Sequence, residues 1–372
     1  MTDAMDYEVE FHPVGDATRA GDAISVRYGQ HGLYEVIVID GGTSDSGKTL
    51  VEHIKTYYGS NTVLKHVIST HPDNDHASGL REVLSAFRTE NLWLHGIWHH
   101  VAEMRHLFAD KQLTEQAIAD NIREAYPIVE ELIALANQRG TLVYEPFAGC
   151  TIGPFTVLSP TSHAYTRLVP QFRRTPEADV DALKSEQFWL GDIRQPGLLS
   201  RLFEKALTYI DESWNIELLR EGAVTAAENE TSTVLYGRFG DQSILLTGDA
   251  GVNGLTWACE RAERNGIDLS ALNLVQVPHH GSRSNVTPSV LDRLLGPTRT
   301  TDAPARVAVV SVPKDDEKHP RKIVMNAFRR RGAPVYRTQG NHIRHHSGTM
   351  PHRPNEVAVV PFDWFDRVED YD

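Results

Sequence analysis

The stretch Ser69-Thr70-His71-Pro72-Asp73-Asn74-Asp75-His76 decides the expected fold, because metal-binding side chains follow an apolar strand directly. Val63–Ser69 is the predicted strand, and a helix is predicted from Arg81 to Arg88. Imidazole and carboxylate groups suit zinc, manganese and iron alike. A polar loop capping the following helix, with Asn74 or Asp75 as N-cap, is the alternative, but four potential ligands within six residues argue against it.

Two later strand ends carry residues of the same chemical type. Ile244–Asp249 is an apolar run that ends in a carboxylate placed to bridge two ions, and Val277–Ser282 ends in the pair His279-His280. Each segment alone is weak evidence, since a turn or a structural histidine pair is the commoner reading. Because layered α/β folds put their chemistry at the carboxyl ends of strands, the three segments together predict one metal centre.

These segments resemble the successive metal motifs of the metallo-β-lactamase superfamily. More narrowly, they resemble the hydrolase domain of the competence protein ComEC and the related phosphorylcholine esterases. Asp73 marks this branch, because most of the superfamily has histidine there. Shorter stretches also fit: Gly21–Ile24, Asp40–Gly42, Asn229–Ser232, Lys318–Pro320 and Gly332–Thr338.

The resemblance implies an α/β fold, the αββα sandwich, as a single domain over residues 1–372. It covers both ends and the middle of the chain but leaves out about 101–139 and 161–228, which are expected to be helical insertions. No membrane segment or oligonucleotide-binding module accompanies the domain, so a DNA-uptake channel is not implied.

The resemblance also implies a set of site residues for two divalent ions, Zn or Mn. His71 and Asp73 would bind one ion, Asp75, His76 and one of His279 and His280 the other, and Asp249 would bridge them. Asp75, Asp249, His279 and His280 are accordingly the candidate catalytic residues. Ser282 and His319 are candidate substrate contacts, with a structural turn or helix cap as the alternative for each.

Several histidines remain outside this set. The superfamily usually has a further histidine ligand, and His95, His99 and His100 are the candidates for it. A histidine that merely packs beside Trp93 and Trp98 is the favoured interpretation. The coordination position on the metal is then expected to be open to water or substrate. The C-terminal histidines are expected to lie in a mobile polar loop, with metal binding as the weaker alternative, since they lack a strand framework. These residues are His342, His345, His346 and His352.

Composition limits the classes of function. The chain has 372 residues, and 37 basic against 50 acidic residues give a charge of −13, which disfavours nonspecific binding to a phosphate backbone. The run Arg329-Arg330-Arg331 is interpreted as a solvated helix face rather than a nucleic-acid patch. Two distant cysteines predict neither a disulfide nor a thiolate metal site. The acidic start, Met1–Phe11, lacks a signal sequence, so a soluble cytoplasmic protein is expected.

The predicted reaction is phosphodiester hydrolysis by a hydroxide held between the two ions. Nuclease and small phosphodiesterase compete, and the negative charge favours a small or single-stranded substrate over duplex DNA. Hydrolysis of a carboxylic ester, lactone or thioester is the alternative chemistry. A nucleotide-binding regulatory protein with weak hydrolysis is the alternative class, and the two insertions are large enough for a lid, a partner surface or a homo-oligomer contact.

Hydrophobic patterning predicts the remaining elements. Residues 101–139 are expected to form long helices, and further helices are expected at Thr49–Tyr58 and Leu198–Leu207. The predicted strands are Ala23–Arg27, Glu35–Asp40, Leu142–Tyr144, Phe155–Leu158, Thr233–Tyr236, Ser243–Leu246, Leu274–Val277 and Arg306–Val312.

Overall fold

The computed structural model describes residues 5–15, 21–191, 208–347, 350–354 and 358–371. Its strands form two seven-stranded sheets and one two-stranded sheet. The strands are β1 (Asp6–Phe11), β2 (Ala23–Gln30), β3 (Leu33–Gly41), β4 (Val63–Ile68), β5 (Arg88–Trp93), β6 (Leu142–Tyr144), β7 (Thr151–Ile152), β8 (Phe155–Ser159), β9 (Tyr209–Asp211), β10 (Val234–Phe239), β11 (Gln242–Leu246), β12 (Leu274–Gln276), β13 (Val307–Val310), β14 (Val335–Arg337), β15 (Ile343–Ser347) and β16 (Arg367–Glu369).

The first large sheet has the order β15-β1-β2-β3-β4-β5-β6, and the second has the order β14-β13-β12-β11-β10-β8-β7. Strands β3 to β6 run parallel to one another, as do β11 to β14. The carboxyl ends of each parallel set therefore meet at one edge of their sheet. The pair β9 and β16 forms the small sheet.

Helices cover the outer face of each sheet. They are α1 (Ser44–Tyr57), α2 (Asn74–Ala77), α3 (Leu80–Ala86), α4 (Val101–Met104), α5 (Glu115–Ala125), α6 (Pro127–Gln138), α7 (Ser162–Leu168), α8 (Val180–Ser185), α9 (Ala227–Glu230), α10 (Val252–Arg264), α11 (Pro288–Leu295) and α12 (Lys322–Arg330). Among the residues placed by the structure, no helix combines the length and apolar character needed to cross a bilayer.

Three apolar clusters hold the layers together. The middle cluster lies between the sheets and includes Phe11, Ile39 and Leu246. A second cluster packs α1, α3 and α6 against the first sheet, and a third packs α10, α11 and α12 against the second sheet. Each buried face removes a continuous apolar surface from water, which is the main favourable contribution to folding. The predicted αββα architecture is thereby confirmed.

The strand predictions agree with the structure to within a few residues, and β6 matches its predicted bounds. The expected helices in 101–139 are α4, α5 and α6. Strand β1 was not predicted, because Met1–Phe11 was interpreted only as an acidic start of the chain. The predicted helix Leu198–Leu207 lies outside the described residues.

The interpretation of the basic run as a solvated face was wrong. Arg330 and Arg331 are each only 1% exposed. Arg330 donates to Glu212 and to the carbonyls of Ser213 and Trp214, and Arg331 pairs with Glu217 and Asp292. Carboxylates from distant segments neutralise these guanidinium groups, which allows α12 to be covered on this side.

Candidate metal centre

The carboxylate of Asp249 lies at the centre of four imidazoles. Its Oδ2 is 3.4 Å from Nε2 of His76, in α2, and 3.9 Å from Nε2 of His71, in the loop after β4. The same oxygen is 3.6 Å from Nε2 of His279 and 3.8 Å from Nε2 of His280, both after β12. Four ring nitrogens from the two halves of the sandwich thus lie around one oxygen.

The opposite nitrogen, Nδ1, of each imidazole is held by the protein. The four Nδ1 partners are Thr70 Oγ1 for His71 at 3.0 Å, Asp40 Oδ2 for His76 at 2.9 Å, Asn285 Oδ1 for His279 at 2.7 Å and the Ser311 carbonyl for His280 at 2.9 Å. A carboxylate, carbonyl or amide oxygen can only accept, so these contacts put the proton on Nδ1. The lone pair is then left on Nε2, which is the usual arrangement of a metal-binding histidine.

Asp40 controls two of these rings. Its Oδ1 accepts from the backbone N–H of Thr70 at 2.8 Å, and its Oδ2 accepts from Thr70 Oγ1 at 2.6 Å and from His76. Because the Thr70 hydroxyl donates to Asp40, it accepts from His71. One buried carboxylate therefore fixes the tautomer of both imidazoles. Asp40 was a supporting match in the sequence, with no role predicted for it. An aspartate that ends a buried strand before two glycines could have indicated a site residue.

Buried polar atoms without hydrogen-bond partners mark the centre as a cation site. Within the described part of the chain, His71 Nε2, His76 Nε2 and Asp249 Oδ1 are buried and make no hydrogen bond. A buried donor or acceptor without a partner is costly, so such atoms need another ligand. The groups Asp40–His71–His76 and His76–Asp249–His280 each hold their ligand atoms within 4.8 Å of one another. The residues present therefore fit divalent metal ions.

The turn that carries His279 and His280 depends on unusual backbone angles. His279, His280 and Gly281 have φ of 46°, 57° and 79°, in the left-handed region that side chains with a Cβ adopt rarely. A Cβ on Gly281 would lie 2.5 Å from Cβ of Pro320, so the turn packs closely on the loop that contains His319. Strained conformations of this kind concentrate at functional sites.

The second sheet supplies further fixed partners. Asn285 Nδ2 donates to the Asp249 carbonyl at 2.8 Å while its Oδ1 holds His279. Gln276 Nε2 donates to Asp22 Oδ2 at 2.8 Å, and the other oxygen of Asp22 makes no hydrogen bond to the described residues. The N–H of Gly21 lies 3.3 Å from Nε2 of His280. Asp22 lies in the supporting match Gly21–Ile24, with no role predicted for it. Its Oδ2 lies 3.9 Å from Nδ1 of His76, beside the centre.

Charge and burial set the protonation of the centre. Burial opposes ionisation of Asp249, but the charges of His76, His279 and His280 outweigh burial and hold its pKa well below the ordinary range. Burial lowers the pKa of His280 to about 4, which keeps the ring neutral. Burial also raises the pKa of Asp22 to about 6. Burial opposes protonation of His76, but the charges of Asp249 and Asp40 outweigh burial and hold its pKa well above the ordinary value. A cation that binds Nε2 must therefore displace a proton from His76.

Asp73 and Asp75 lie apart from the two ligand groups. Asp73 Oδ2 accepts from Arg173 Nη2 at 2.7 Å, and Arg173 also donates to the buried Glu228. Asp75 lines an open depression with Asn74 and Arg81. The carbonyl of Asp75 would lie 1.8 Å from a Cβ on Gly21, so its backbone is packed beside the centre.

The remaining predicted residues have clear positions. His95 is buried and stacks on Tyr165 with ring centroids 4.4 Å apart, and His100 pairs with Glu145 at 3.0 Å. In the residues that the structure places, neither these two histidines nor His99 belongs to a metal-ligand group.

Beside the histidine turn, Ser282 Oγ lies 2.8 Å from Ser284 Oγ, and His319 Nδ1 lies 3.2 Å from Asp316. Both Ser282 and His319 are partly buried, and burial lowers the pKa of His319 to about 4. They remain candidate substrate contacts.

The sandwich, with ligand-type side chains from both sheets at one edge, defines a class of two-layered α/β proteins that bind metal ions between their sheets. Residues 32–149 match the sequence model of the Metallo-beta-lactamase superfamily, so this part of the chain is similar to that family. The ComEC-like branch stays a prediction. A comparison with curated proteins gave no match.

Several solved structures match this chain at low identity. Unliganded yeast PDE1 is 13% identical with a TM-score of 0.42, covering 91% of this chain and 99% of its own. The metallo-beta-lactamase fold protein YhfI from Bacillus subtilis is 9% identical with a TM-score of 0.39, covering 92% and 100%. Zn(2+)-bound PqqB from Methylobacterium extorquens is 10% identical with a TM-score of 0.38, covering 91% and 99%.

Proposed function

We propose that the protein is a dinuclear metal-dependent hydrolase that cleaves phosphodiester bonds. The observation that carries the proposal is the convergence of four imidazole Nε2 atoms on Asp249 Oδ2 within 3.4 to 3.9 Å, with every Nδ1 held by the protein. His71 and Asp73 would hold one ion, and Asp75, His76 and His280 the other, with Asp249 shared between them. For this, Asp73 would have to release Arg173, and the Asp75 side chain would have to turn from the open depression toward His76. Two bound ions lower the pKa of a bound water from about 15.7 toward neutrality and neutralise charge on the attacked group.

The two adjacent histidines differ in a way that suggests their roles. His280 is buried, and its ligand atom groups with those of His76 and Asp249. The His279 side chain is 33% exposed, and Asn285 orients it from behind. His280 is therefore the proposed ligand, and His279 is the proposed residue that orients the substrate or protonates the leaving group.

A phosphodiester is the proposed substrate class because it carries a negative charge that needs a cationic partner. The guanidinium of Arg173 is 51% exposed beside Asp73 and is the proposed partner. It already pairs with Asp73 and Glu228, so a substrate phosphate would have to compete with both carboxylates for its N–H donors. Arginine matches the two non-bridging oxygens of a phosphate with two N–H donors. The net charge of −13 favours small phosphodiesters or single strands over duplex DNA.

Activity measurements on matched variants test the proposal. Wild-type protein loaded with Zn or Mn should hydrolyse an activated phosphodiester faster than an activated carboxylic ester, a lactone or a thioester. Asp249→Asn should lower kcat by about 1000-fold or more, because the shared ligand carries the charge that holds both ions. Asp241→Asn, at an exposed position in the turn between β10 and β11, is the matched control and should keep full activity. Full activity of Asp249→Asn refutes the proposed centre.

A second variant tests the substrate class alone. Arg173→Gln should raise KM for the phosphodiester by roughly 10-fold while leaving the rate on a neutral carboxylic ester unchanged, since only the charged substrate uses the guanidinium. An equal loss on both substrates would show that Arg173 only supports Asp73 and Glu228. A preference for lactones or thioesters in the wild type would replace the phosphodiester assignment but leave the metal centre intact.

A further inference from the structure

A second cluster of metal-ligand side chains lies on the outer face of the first sheet. It consists of His12, His53, His342 and Glu10, which no motif of the sequence brings together. The three imidazole ligand atoms lie within 4.8 Å of one another. The three ring centroids are 4.5, 4.9 and 5.2 Å apart. Glu10 and its cross-strand neighbour Ser25 face α1. The next residue, Phe11, points the other way, into the core between the sheets. The cluster therefore lies on the outer face of the first sheet, whereas the Asp249 centre lies between the two sheets.

The topology fixes the cluster from three directions. His12 directly follows β1, and His342 directly precedes β15, which pairs antiparallel with β1 through Phe11 and Ile343. The two histidines are therefore neighbours across the end of the ladder. His53 reaches them from the middle of α1. His53 lies within a helix, and His12 and His342 each lie one residue beyond the end of a strand.

Glu10 presents one oxygen to the cluster and uses the other for support. Its side chain is fully buried, and Oε2 lies 2.7 Å from His53 Nε2 and 2.5 Å from His342 Nε2. Oε1 accepts from Tyr58 Oη at 2.8 Å and from Arg353. The guanidinium therefore contacts the oxygen that faces away from the imidazoles, and Glu8 shares its charge.

The short contacts around Oε2 are not satisfied hydrogen bonds. Glu10 Oε2, His53 Nε2 and His342 Nε2 are all buried, and within the described residues none of them makes a hydrogen bond of acceptable geometry. The same two contacts are ion pairs when the rings of His53 and His342 are protonated, and a metal ion would replace those protons. A cation between the three atoms would satisfy all of them, because it binds lone pairs that point to a common centre.

A hydrogen-bond chain sets the tautomer of the third imidazole. Tyr58 donates to Glu10 and lies 2.9 Å from Ser25 Oγ, so the Ser25 hydroxyl is the donor in that contact. Ser25 Oγ lies 2.8 Å from His12 Nε2 and must then accept from it. The proton of His12 is thereby placed on Nε2, and Nδ1 carries the lone pair. Outer partners that fix the tautomer in this way are typical of metal-binding histidines.

We propose that His12, His53, His342 and Glu10 form a structural site for a single divalent transition-metal ion, zinc by ligand type. Three imidazoles and one carboxylate oxygen supply four donor atoms, the number that a structural zinc ion binds. The two contacts of Glu10 Oε2, at 2.7 and 2.5 Å, would have to open to about 3.3 Å to admit the ion. The ion ties the edge strand β15 and the helix α1 to the end of β1, over a separation of 330 residues between His12 and His342. This site is independent of the proposed hydrolase centre.

Metal counting with a matched control tests the site. The double variant His53→Gln, His342→Gln should lose about one equivalent of tightly bound zinc per chain. The rise in melting temperature with zinc should become smaller than in the wild type, and only the part that comes from the Asp249 centre should remain. Phosphodiesterase activity should be unchanged. His346→Gln is the control, because this histidine lies on β15 but is exposed, and it should keep the full metal content. An unchanged zinc content in the folded double variant overturns the proposal.

Anomalous X-ray scattering at the zinc edge answers the same question without any variant. Crystals of the wild-type protein grown with zinc should show a peak among the four side chains. If zinc peaks occur at the Asp249 centre but not here, the cluster is a buried histidine–glutamate network and the proposal fails. If the reverse occurs, the structural site stands and the proposed hydrolase centre fails, so the two outcomes are distinguishable.

Discussion

Replacing Asp40 with asparagine should weaken metal binding without touching a metal ligand. The carboxylate accepts three hydrogen bonds, at 2.8 Å from the Thr70 amide, 2.6 Å from the Thr70 hydroxyl and 2.9 Å from His76. An amide has only one accepting oxygen. Whichever way it is turned, its NH₂ group faces a donor, either the Thr70 amide or His76. His76 is then driven to move its proton to Nε2, the atom that faces Asp249.

The size of the effect follows from the number of rings that Asp40 controls. Loss of a single outer partner typically weakens metal affinity by about 10- to 100-fold. Asp40 orients His76 directly and His71 through Thr70, so the upper end of that range applies. We expect metal binding about 100-fold weaker in Asp40→Asn, which corresponds to roughly 2.8 kcal/mol.

A competition titration against a metal chelator measures this change. Circular dichroism should first establish that the variant is folded. Asp45→Asn is the control, because Asp45 is an exposed carboxylate on α1 that only pairs with Lys48. Activity at limiting metal should fall in parallel with affinity and recover in part at high metal concentration. Unchanged affinity in folded Asp40→Asn would refute the role of Asp40 in setting the two tautomers.

Three further variants test other features of the fold. Burial raises the pKa of Glu230 from 4.5 to about 7, so its contribution to stability is full below pH 4.5 and is lost as the pH rises through about 7. In urea denaturation, Glu230→Gln should therefore gain stability relative to the wild type between pH 5 and pH 8. A difference in unfolding free energy that stays constant with pH would contradict this. Gly281→Ala should lower the melting temperature more than Gly266→Ala, since both have positive φ but only Gly281 lies against packed neighbours. Arg330→Met should destabilise the protein by about 3 to 5 kcal/mol in chemical denaturation, because Glu212 stays buried without its cation; a loss below 1 kcal/mol would show that the pair is dispensable.

The sequence predicted the strand ends well because the signal is local. Val63–Ile68 and Gln242–Leu246 each end in consecutive apolar residues, and a polar residue and a turn follow. These apolar ends are buried, as is typical of strands covered on both faces. His71, Asp249 and His280 could be placed in one centre because their strands end at one edge.

The first strand escaped prediction for a physical reason. In β1, Tyr7, Val9 and Phe11 alternate with acidic residues, which is the period of a strand with one apolar face. The acidic face suggested a solvated terminus, yet Glu8 is buried and neutralised by Arg27 and by arginines more than 300 residues away. No local pattern reveals a pairing of that kind.

Long-range contacts also explain what the site predictions lacked. His12, His53 and His342 come from three separate segments, and only the pairing of β1 with β15 brings the first and last together. The prediction grouped His342 with the histidines that follow it and assumed that no strand supports them. The structure instead places His345 within β15 and directs His342 to the other side of the sheet end.

The distribution of ligands between the sheets has a consequence for folding. The half of the chain that contains the first sheet contributes His71 and His76 to the candidate centre, with Asp40 behind them, and the half that contains the second contributes Asp249 and His280. Without a cation, imidazole and carboxylate atoms that lack hydrogen-bond partners are buried at the interface between the sheets, which costs stability in the packed state. A bound ion removes that cost only when both sheets are docked. Metal binding is therefore coupled to the association of the two halves of the sandwich, and the melting temperature should rise with free metal concentration until the site is saturated.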